Sequence, residues 1–391
     1  MAAGFPGGVR VGIFARRYRM HNIYVVDRVD CLEQEQSILA VRIEHALPEH
    51  RQWLSQTVSS PQGNCGDLSE TADGAFILTA SRKAIHAVVK EMKRRNLFPA
   101  LADELQQALD GEARSREMRR TLQCRNLNLE IGRRTLIMGI LNVTPDSFSD
   151  GGKYFSVDAA VRRAVQMVEE GADLIDLGGE STRPGFRPVS VEEELRRVIP
   201  VLRELVRVVD VPISIDTYKS EVARQALEVG AHIINDQWRL TADPNMASVA
   251  AEYQCPVILM HNRHNKDYAN LLSGIVGDLR ESIEIARRAG VRDEQIILDP
   301  GIGFAKTYED NLAAIKQLKA ISMLGYPVLL ATSRKSVIQR TLGLPPGEVV
   351  EGTAATVAYG IAQGCHMVRG HDIKEMKKVA AMADAIVQAG N

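Results

Sequence analysis

From about Arg134 onward the chain repeats one pattern eight times: a short apolar run, a polar loop, then an amphipathic stretch. The runs occupy 136–143, 174–177, 212–215, 232–235, 257–260, 295–298, 327–331 and 366–369. Near-continuous apolar runs of this length suit parallel strands buried on both faces, with helices between them. Ser190 with Glu193 reads as a capping box ahead of Leu195, and Asp372 with Glu375 as a similar start for the last helix. Gly171 and Gly230 stand where helices should stop. Eight such units in roughly 250 residues have the dimension of a (β/α)8 barrel, a TIM barrel. A doubly wound open sheet shares the alternation, so periodicity alone leaves both architectures open.

Residues 1–125 do not follow this rhythm and are expected to form a small α+β extension ahead of a barrel domain at 126–391. Within it, 23–29 reads as a strand, 75–79 followed by 81–95 as strand, N-cap and helix, and 100–109 as a further helix. The polar, glycine-rich stretch 64–74 reads as a flexible loop. The net charge of -1 argues against a nucleic-acid surface, because a phosphate-tracking protein usually carries a basic excess. Cys31, Cys65, Cys124, Cys255 and Cys365 show no paired spacing, which speaks against a disulfide framework or a zinc site. No apolar run is long enough to span a membrane, and no signal-peptide core follows the short apolar stretch 12–15. A cytoplasmic protein is the expectation.

In a parallel barrel the catalytic groups come from the C-terminal ends of the strands. Polar residues gather there after nearly every run: 142–152 after the first, 178–185 after the second, then Asp216, Asn235 with Asp236, His261, Asp299, 333–336, and Arg369 with His371. A single polar residue at a strand end is usually a helix cap, and that reading stays open for Asp236 and Asp372. Eight coincidences at one mouth define an active site. Arg334, Lys335, Arg369 and His371 come from the last two strands, where barrels frequently bind phosphate, and their donors suit a diphosphate. Asp216, Asn235 and Asp299 supply acceptors and one amide for a flat ring that offers several N–H donors.

The residues that carry these features are also recognisable. The stretch 141–152, Leu-Asn-Val-Thr-Pro-Asp-Ser-Phe-Ser-Asp-Gly-Gly, resembles the first signature of the dihydropteroate synthases, and 180–185, Glu-Ser-Thr-Arg-Pro-Gly, resembles their second. Asp-Pro-Gly-Ile-Gly-Phe at 299–304 and Ser-Arg-Lys-Ser at 333–336 are similar to later pieces of the same family. The resemblance implies that Asp216, Asn235, Asp299, Gly303 and Lys335 hold a pterin, with Met260 packing near it. It implies a diphosphate site at Asn142, Arg369 and His371, with Asn142 also ligating Mg²⁺. Thr182, Arg183, Pro184, Phe304 and Ser336 would shape a p-aminobenzoate site. The catalytic set would be Phe148 and Asp150 on the first loop, Thr182 and Arg183 on the second, and Lys335.

The implied chemistry is loss of diphosphate from the pterin CH₂–O carbon followed by arylamine attack, with Asp150 stabilising the developing cation. The implied assembly is a homodimer through the outer helices, with small-molecule substrates and neither nucleic acid nor membrane as partner. Rival readings are a pterin-binding methyltransferase acting on methyltetrahydrofolate, and a binding-only barrel regulated by its extension. The sequence departs from the family's commonest pattern at three places. Ala305 stands where glycine is usual before Lys306, Ala331 where glycine is usual before Thr332, and Gly370 replaces the usual valine between Arg369 and His371. Asp236-Gln237-Trp238 and Met260-His261-Asn262 resemble a subgroup of the family. The first ~110 residues resemble, more weakly, the extension of longer bacterial members, and no function carries over from it. His261 and His264 lack the further ligands zinc requires, Gly301-Ile302-Gly303 lacks the third glycine of a dinucleotide loop, and 90–95 reads as the solvated end of a helix.

Overall fold

The computed structural model describes residues 22–31, 36–58, 66–143, 153–180 and 188–389. They fall into two compact units, Met1–Asp110 and Gly111–Asn391.

The first unit is built on a four-stranded antiparallel sheet. Its strands β1 (Ile23–Cys31), β2 (Gln36–Ile43), β3 (Gly66–Glu70) and β4 (Phe76–Ser81) lie in the order β1-β2-β4-β3. Helices α1 (Pro48–Val58), α2 (Arg82–Arg95) and α3 (Pro99–Arg116) accompany it. Ser81 caps α2, its side chain accepting the Ala84 N–H at 3.2 Å. α2 buries Ile85, Val88, Val89 and Met92 on one stripe, as an amphipathic surface helix does. The stretch 64–74, read as a loop, contains β3. Leu68 is the only large apolar residue in that edge strand, so it shows no alternating signal. At Gly66 a Cβ would fall 2.3 Å from the Val58 Cγ1, which explains glycine there.

In the second unit all eight apolar runs are strands. They are β7 (Leu136–Asn142), β8 (Leu174–Gly178), β9 (Ile213–Asp216), β10 (Ile233–Asp236), β11 (Val257–Met260), β12 (Ile296–Asp299), β13 (Leu329–Leu330) and β14 (Met367–Gly370). They are parallel and follow one another in chain order around the sheet, β14 returns to pair with β7, and a bridge between Leu298 and Val328 closes the ring. Sequential order with closure is a (β/α)8 barrel and excludes the doubly wound sheet. A short hairpin, β5 (Arg120–Cys124) and β6 (Leu127–Ile131), contributes Leu122, Cys124, Leu129 and Ile131 to an apolar cluster with Leu136, Leu174, Ile233, Ile297, Leu329 and Met367. These last residues lie at or near the starts of their strands, so the hairpin plugs the N-terminal end of the barrel.

The outer helices are α4 (Lys153–Glu169), α5 (Val191–Val208), α6 (Ser220–Val229), α7 (Met246–Glu252), α8 (Leu271–Ala289), α9 (Tyr308–Lys316), α10 (Leu318–Ser322), α11 (Ser336–Leu342), α12 (Val350–Ala362) and α13 (Ile373–Gln388). Ser190 caps α5 through the Glu193 N–H, and Gly171 and Gly230 adopt positive φ at helix ends. Asp372 precedes α13 but makes no side-chain cap, because its carboxylate pairs with the Arg334 guanidinium instead. Among the described residues no helix is long and apolar enough to cross a membrane.

Candidate active site

The C-terminal ends of β8, β9, β10 and β14 meet in a buried polar group. Asp176, inside β8, is fully buried and accepts the Arg369 Nε at 2.5 Å, the Asn235 Nδ2 at 3.1 Å and the Ser214 hydroxyl. Asp216, the last residue of β9, accepts the Arg369 Nη2 at 2.7 Å on one oxygen and the Gln237 Nε2 on the other. Burial, with Asp176 beside it, pushes the Asp216 carboxyl up to about 7 despite the facing guanidinium. Arg369 therefore joins two carboxylates, and Asn235 and Gln237 fill further positions around them. Asp236 behaves differently. Its carboxylate accepts the N–H groups of Trp238 at 2.8 Å and Leu240 at 2.6 Å, so it fixes the turn that carries Gln237 and caps no helix.

The ends of β11 and β12 hold a second group. His261, fully buried, accepts a hydrogen bond from the Lys306 Nζ at Nδ1 (2.8 Å) and faces the Asp278 carboxylate with Nε2 at 3.1 Å. Burial pulls its imidazole down to about 4, so it is neutral, with Nε2–H donating to Asp278. Lys306 also donates to the carbonyls of Gly301 at 3.0 Å and Phe304 at 3.1 Å, giving each of its three hydrogens a partner. Both nitrogens of His261 are thus committed, and His264 stacks on Trp238 with ring centroids 4.6 Å apart, so this pair is not a zinc site. At Gly301 a Cβ would lie 1.9 Å from the His261 carbonyl oxygen; only glycine allows the β12 loop to sit that close.

Asp299 ends β12 and accepts the Gly301 N–H at 2.7 Å; burial raises its carboxyl while Lys335 opposes the shift. Lys335 reaches across to the Ile302 carbonyl at 2.5 Å, with its Nζ 5.0 Å from the centre of the Phe304 ring and its stem against Gly303. Burial pulls the Lys335 ammonium down to about 8, against the attraction of Asp299 and Asp216. The expected pterin residues Asp216, Asn235, Asp299, Gly303 and Lys335 thus gather around one mouth, with Met260 nearly buried at the end of β11. Phe304 is half-buried and Ser336 exposed at the start of α11. His371 faces the Ser333 hydroxyl at 3.0 Å, and its N–H donates to the same oxygen at 3.2 Å. Arg334, grouped with the anion donors by its place in the chain, is held by Asp372. Asn142 ends β7 with its Oδ1 only 3.3 Å from where a Cβ on Gly178 would stand. Phe148, Asp150, Thr182, Arg183 and Pro184 lie outside the described residues.

Sequence reasoning gave no role to three residues of this region. Asp176 is a lone carboxylate inside an apolar run, and that misfit is the signal that could have found it. Gln237 and Lys306 carry no comparable mark. Next to the mouth, Glu180 accepts the Val189 N–H at 3.2 Å, the Tyr218 hydroxyl at 3.0 Å and the Lys219 Nζ at 2.5 Å, and Lys219 also pairs with Glu194.

A barrel whose mouth combines buried carboxylates, amides, a lysine and an arginine defines an enzyme that reads a donor-rich heterocycle, and the family profile described as pterin binding enzyme matches residues 138–371. The chain is 58% identical over 257 residues to the dihydropteroate synthase of Bacillus subtilis, covering 66% of this chain and 90% of that protein. It is 56% identical to that of Clostridium beijerinckii, covering 96% of that protein. The chain belongs to the dihydropteroate synthase family. Among solved structures, the Clostridium difficile dihydropteroate synthase, determined in the presence of pteroic acid, is 50% identical with a TM-score of 0.65 over 66% of this chain and 98% of that one. The Xanthomonas albilineans enzyme with 4-aminobenzoic acid is 40% identical with a TM-score of 0.67, over 69% of this chain and 99% of that one.

Proposed function

We propose that this chain joins p-aminobenzoate to 6-hydroxymethyl-7,8-dihydropterin diphosphate, releasing 7,8-dihydropteroate and diphosphate. The observation that carries the reading is the gathering of Asp216, Asn235, Asp299, Lys335 and Arg369 at one buried mouth in a chain 58% identical to a dihydropteroate synthase. The pterin enters among the carboxylates, its N–H groups replacing the guanidinium that Asp176 and Asp216 now hold. Arg369 turns with His371 and Asn142 toward the diphosphate. Charge-assisted bonds of this kind are the strong ones, and they favour departure of the leaving group with the C–O electron pair. The arylamine then forms the C–N bond and gives up a proton. Thr182, Arg183, Pro184, Phe304 and Ser336 shape its site, a site that sulfonamides would also occupy, and Phe148 and Asp150 act from the first loop.

Mg²⁺ fits this donor set. It takes one or two protein oxygens together with substrate phosphates, and the Asn142 carboxamide offers such an oxygen beside the diphosphate position. When bound, it supplies Lewis-acid stabilisation of the leaving charge. The assembly we propose is a homodimer through the outer helices, supported by Tyr359 on α12 and Met382, Ile386 and Val387 on α13, large apolar residues left exposed. The buried thiols of Cys124, Cys255 and Cys365 suit a reducing cytoplasm.

The test is diphosphate release from the pterin diphosphate with Mg²⁺, with and without p-aminobenzoate. Release accompanied by 7,8-dihydropteroate is the expected result. Pterin binding without product in folded protein would turn the reading toward a methyltransferase or a binding-only barrel.

A further inference from the structure

Gln237 is 95% buried, and the environment of its two side-chain polar atoms differs sharply. Its Nε2 donates to Asp216, while its Oε1 has no hydrogen-bond partner among the described residues. Leaving a buried acceptor unmatched costs free energy, so a side chain fixed in that state beside a polar mouth calls for an occupant that supplies a donor. The backbone around it is firmly set. Asp236 holds the loop through Trp238 and Leu240. Arg239, at a positive φ, reaches the Asn262 carbonyl at 3.3 Å and Glu281 at 3.0 Å.

The carboxylates nearby indicate which part of a pterin the oxygen meets. Asp299 accepts the Gly301 N–H on Oδ1, and its other oxygen is left for a ligand. It is the carboxylate suited to the paired donors of the 2-amino and N3–H edge. On Asp216 one oxygen is shared with Gln237 and the other with Arg369. A 7,8-dihydropterin has one more ring donor, N8–H, which the oxidised ring lacks.

We propose that Gln237 is a specificity-determining residue whose carboxamide oxygen accepts N8–H of the reduced ring, so that this barrel distinguishes a dihydropterin from an oxidised pterin. The inference rests on the pterin reading above. A ring seated at Asp216 in place of the Arg369 guanidinium brings its N8 edge to Oε1, while Nε2 keeps the Asp216 carboxylate oriented.

Calorimetric titration of the full chain with 6-hydroxymethyl-7,8-dihydropterin and with oxidised 6-hydroxymethylpterin, under anaerobic conditions, tests it. The native protein should prefer the reduced ring. Gln237→Leu should weaken the reduced ring about tenfold more than the oxidised ring, the worth of one hydrogen bond, so the preference shrinks by that factor even where loss of the Nε2–Asp216 bond weakens both. A merely structural role, acting through Asp216, would weaken both rings equally and leave the ratio intact; that result, or unchanged binding of both, overturns the proposal. Gln237→Met serves the same comparison if the leucine variant does not fold. If the native protein binds neither ring and makes no dihydropteroate, the pterin reading fails instead, which the native controls reveal on their own.

Discussion

Two polar networks lie side by side at the mouth of this barrel, and they are finished to different degrees. At β11 and β12 every hydrogen of Lys306 and both nitrogens of His261 have partners, and Asp278 takes His261 and Arg263 together. At β9 and β10 Gln237 keeps an unmatched oxygen, and Arg369 is shared between two acids. A closed network holds loops in place, as a fully satisfied polar cluster does. An open one keeps free energy in reserve for a ligand. Structural and binding roles are thus divided between neighbouring strands.

The sharpest way to break this contrast is Lys306→Met. It leaves the His261 Nδ1 and the Phe304 carbonyl unpaired in the interior, while the Gly301 carbonyl keeps the Phe304 N–H, and stability should fall by about 2–4 kcal/mol, read from denaturant unfolding. A loss below 1 kcal/mol would mean that the network is not closed in the sense argued here.

The next effect is one of pH. His261 is held near 4 in the folded chain against its ordinary 6.5, so above pH 6.5 it is neutral in both states and contributes no penalty. As pH falls from 6.5 to 4 the unfolded chain gains the proton and the folded one does not. The His261 contribution to stability should therefore drop by about 3 kcal/mol across that window, against an opposite contribution from Asp216, which gains its proton in the folded chain first. His261→Gln should reduce the slope of melting temperature against pH without abolishing it, because His366 is held neutral in the same way.

Asp216→Asn probes the open side, with the opposite sign. Its carboxyl prefers the neutral form up to about pH 7, so the ionised form strains the fold above that pH. The asparagine variant should gain about 1–2 kcal/mol at pH 8 while binding a dihydropterin at least tenfold more weakly. A variant that loses both stability and binding would place Asp216 with the structural set. The smallest effect is expected at Ala305, whose φ of 46° falls in the left-handed region that favours glycine. Ala305→Gly relieves roughly 1 kcal/mol of strain but returns 0.4–1 kcal/mol, to order of magnitude, in chain entropy. Its unfolding midpoint should stay within about 1 kcal/mol of the native value.

The barrel was legible in the sequence because burying a strand on both faces demands an unbroken apolar run, and such runs have countable ends. The same rule located Asp216, Asn235 and Asp299, each the first polar residue where a run stops. It passed over Asp176, which sits within a run, and Lys306, whose partners are a backbone loop and a histidine from another strand. In the first unit the rule had less to hold. β2 buries Leu39, Val41 and Ile43 but also carries Ile38 and Ala40 on its other face, which blurs the alternation. β3 is an exposed edge strand. Ala305 shows the converse: the family resemblance marked glycine as usual there, and the positive φ supplies its reason.

The ring of strands has a seam. β13 is two residues long, and one bridge, Leu298 to Val328, joins it to β12. Around that seam the protein is tightly fastened: a Cβ on Gly360 of α12 would come within 2.2 Å of Leu330, and the His366 ring accepts the Val328 N–H. Were those fastenings lost, the cylinder would become a ribbon with two raw edges, the shape that invites neighbouring chains to add strands. The close packing of α12 on β13 therefore keeps the ring closed at its shortest strand, done far from any substrate.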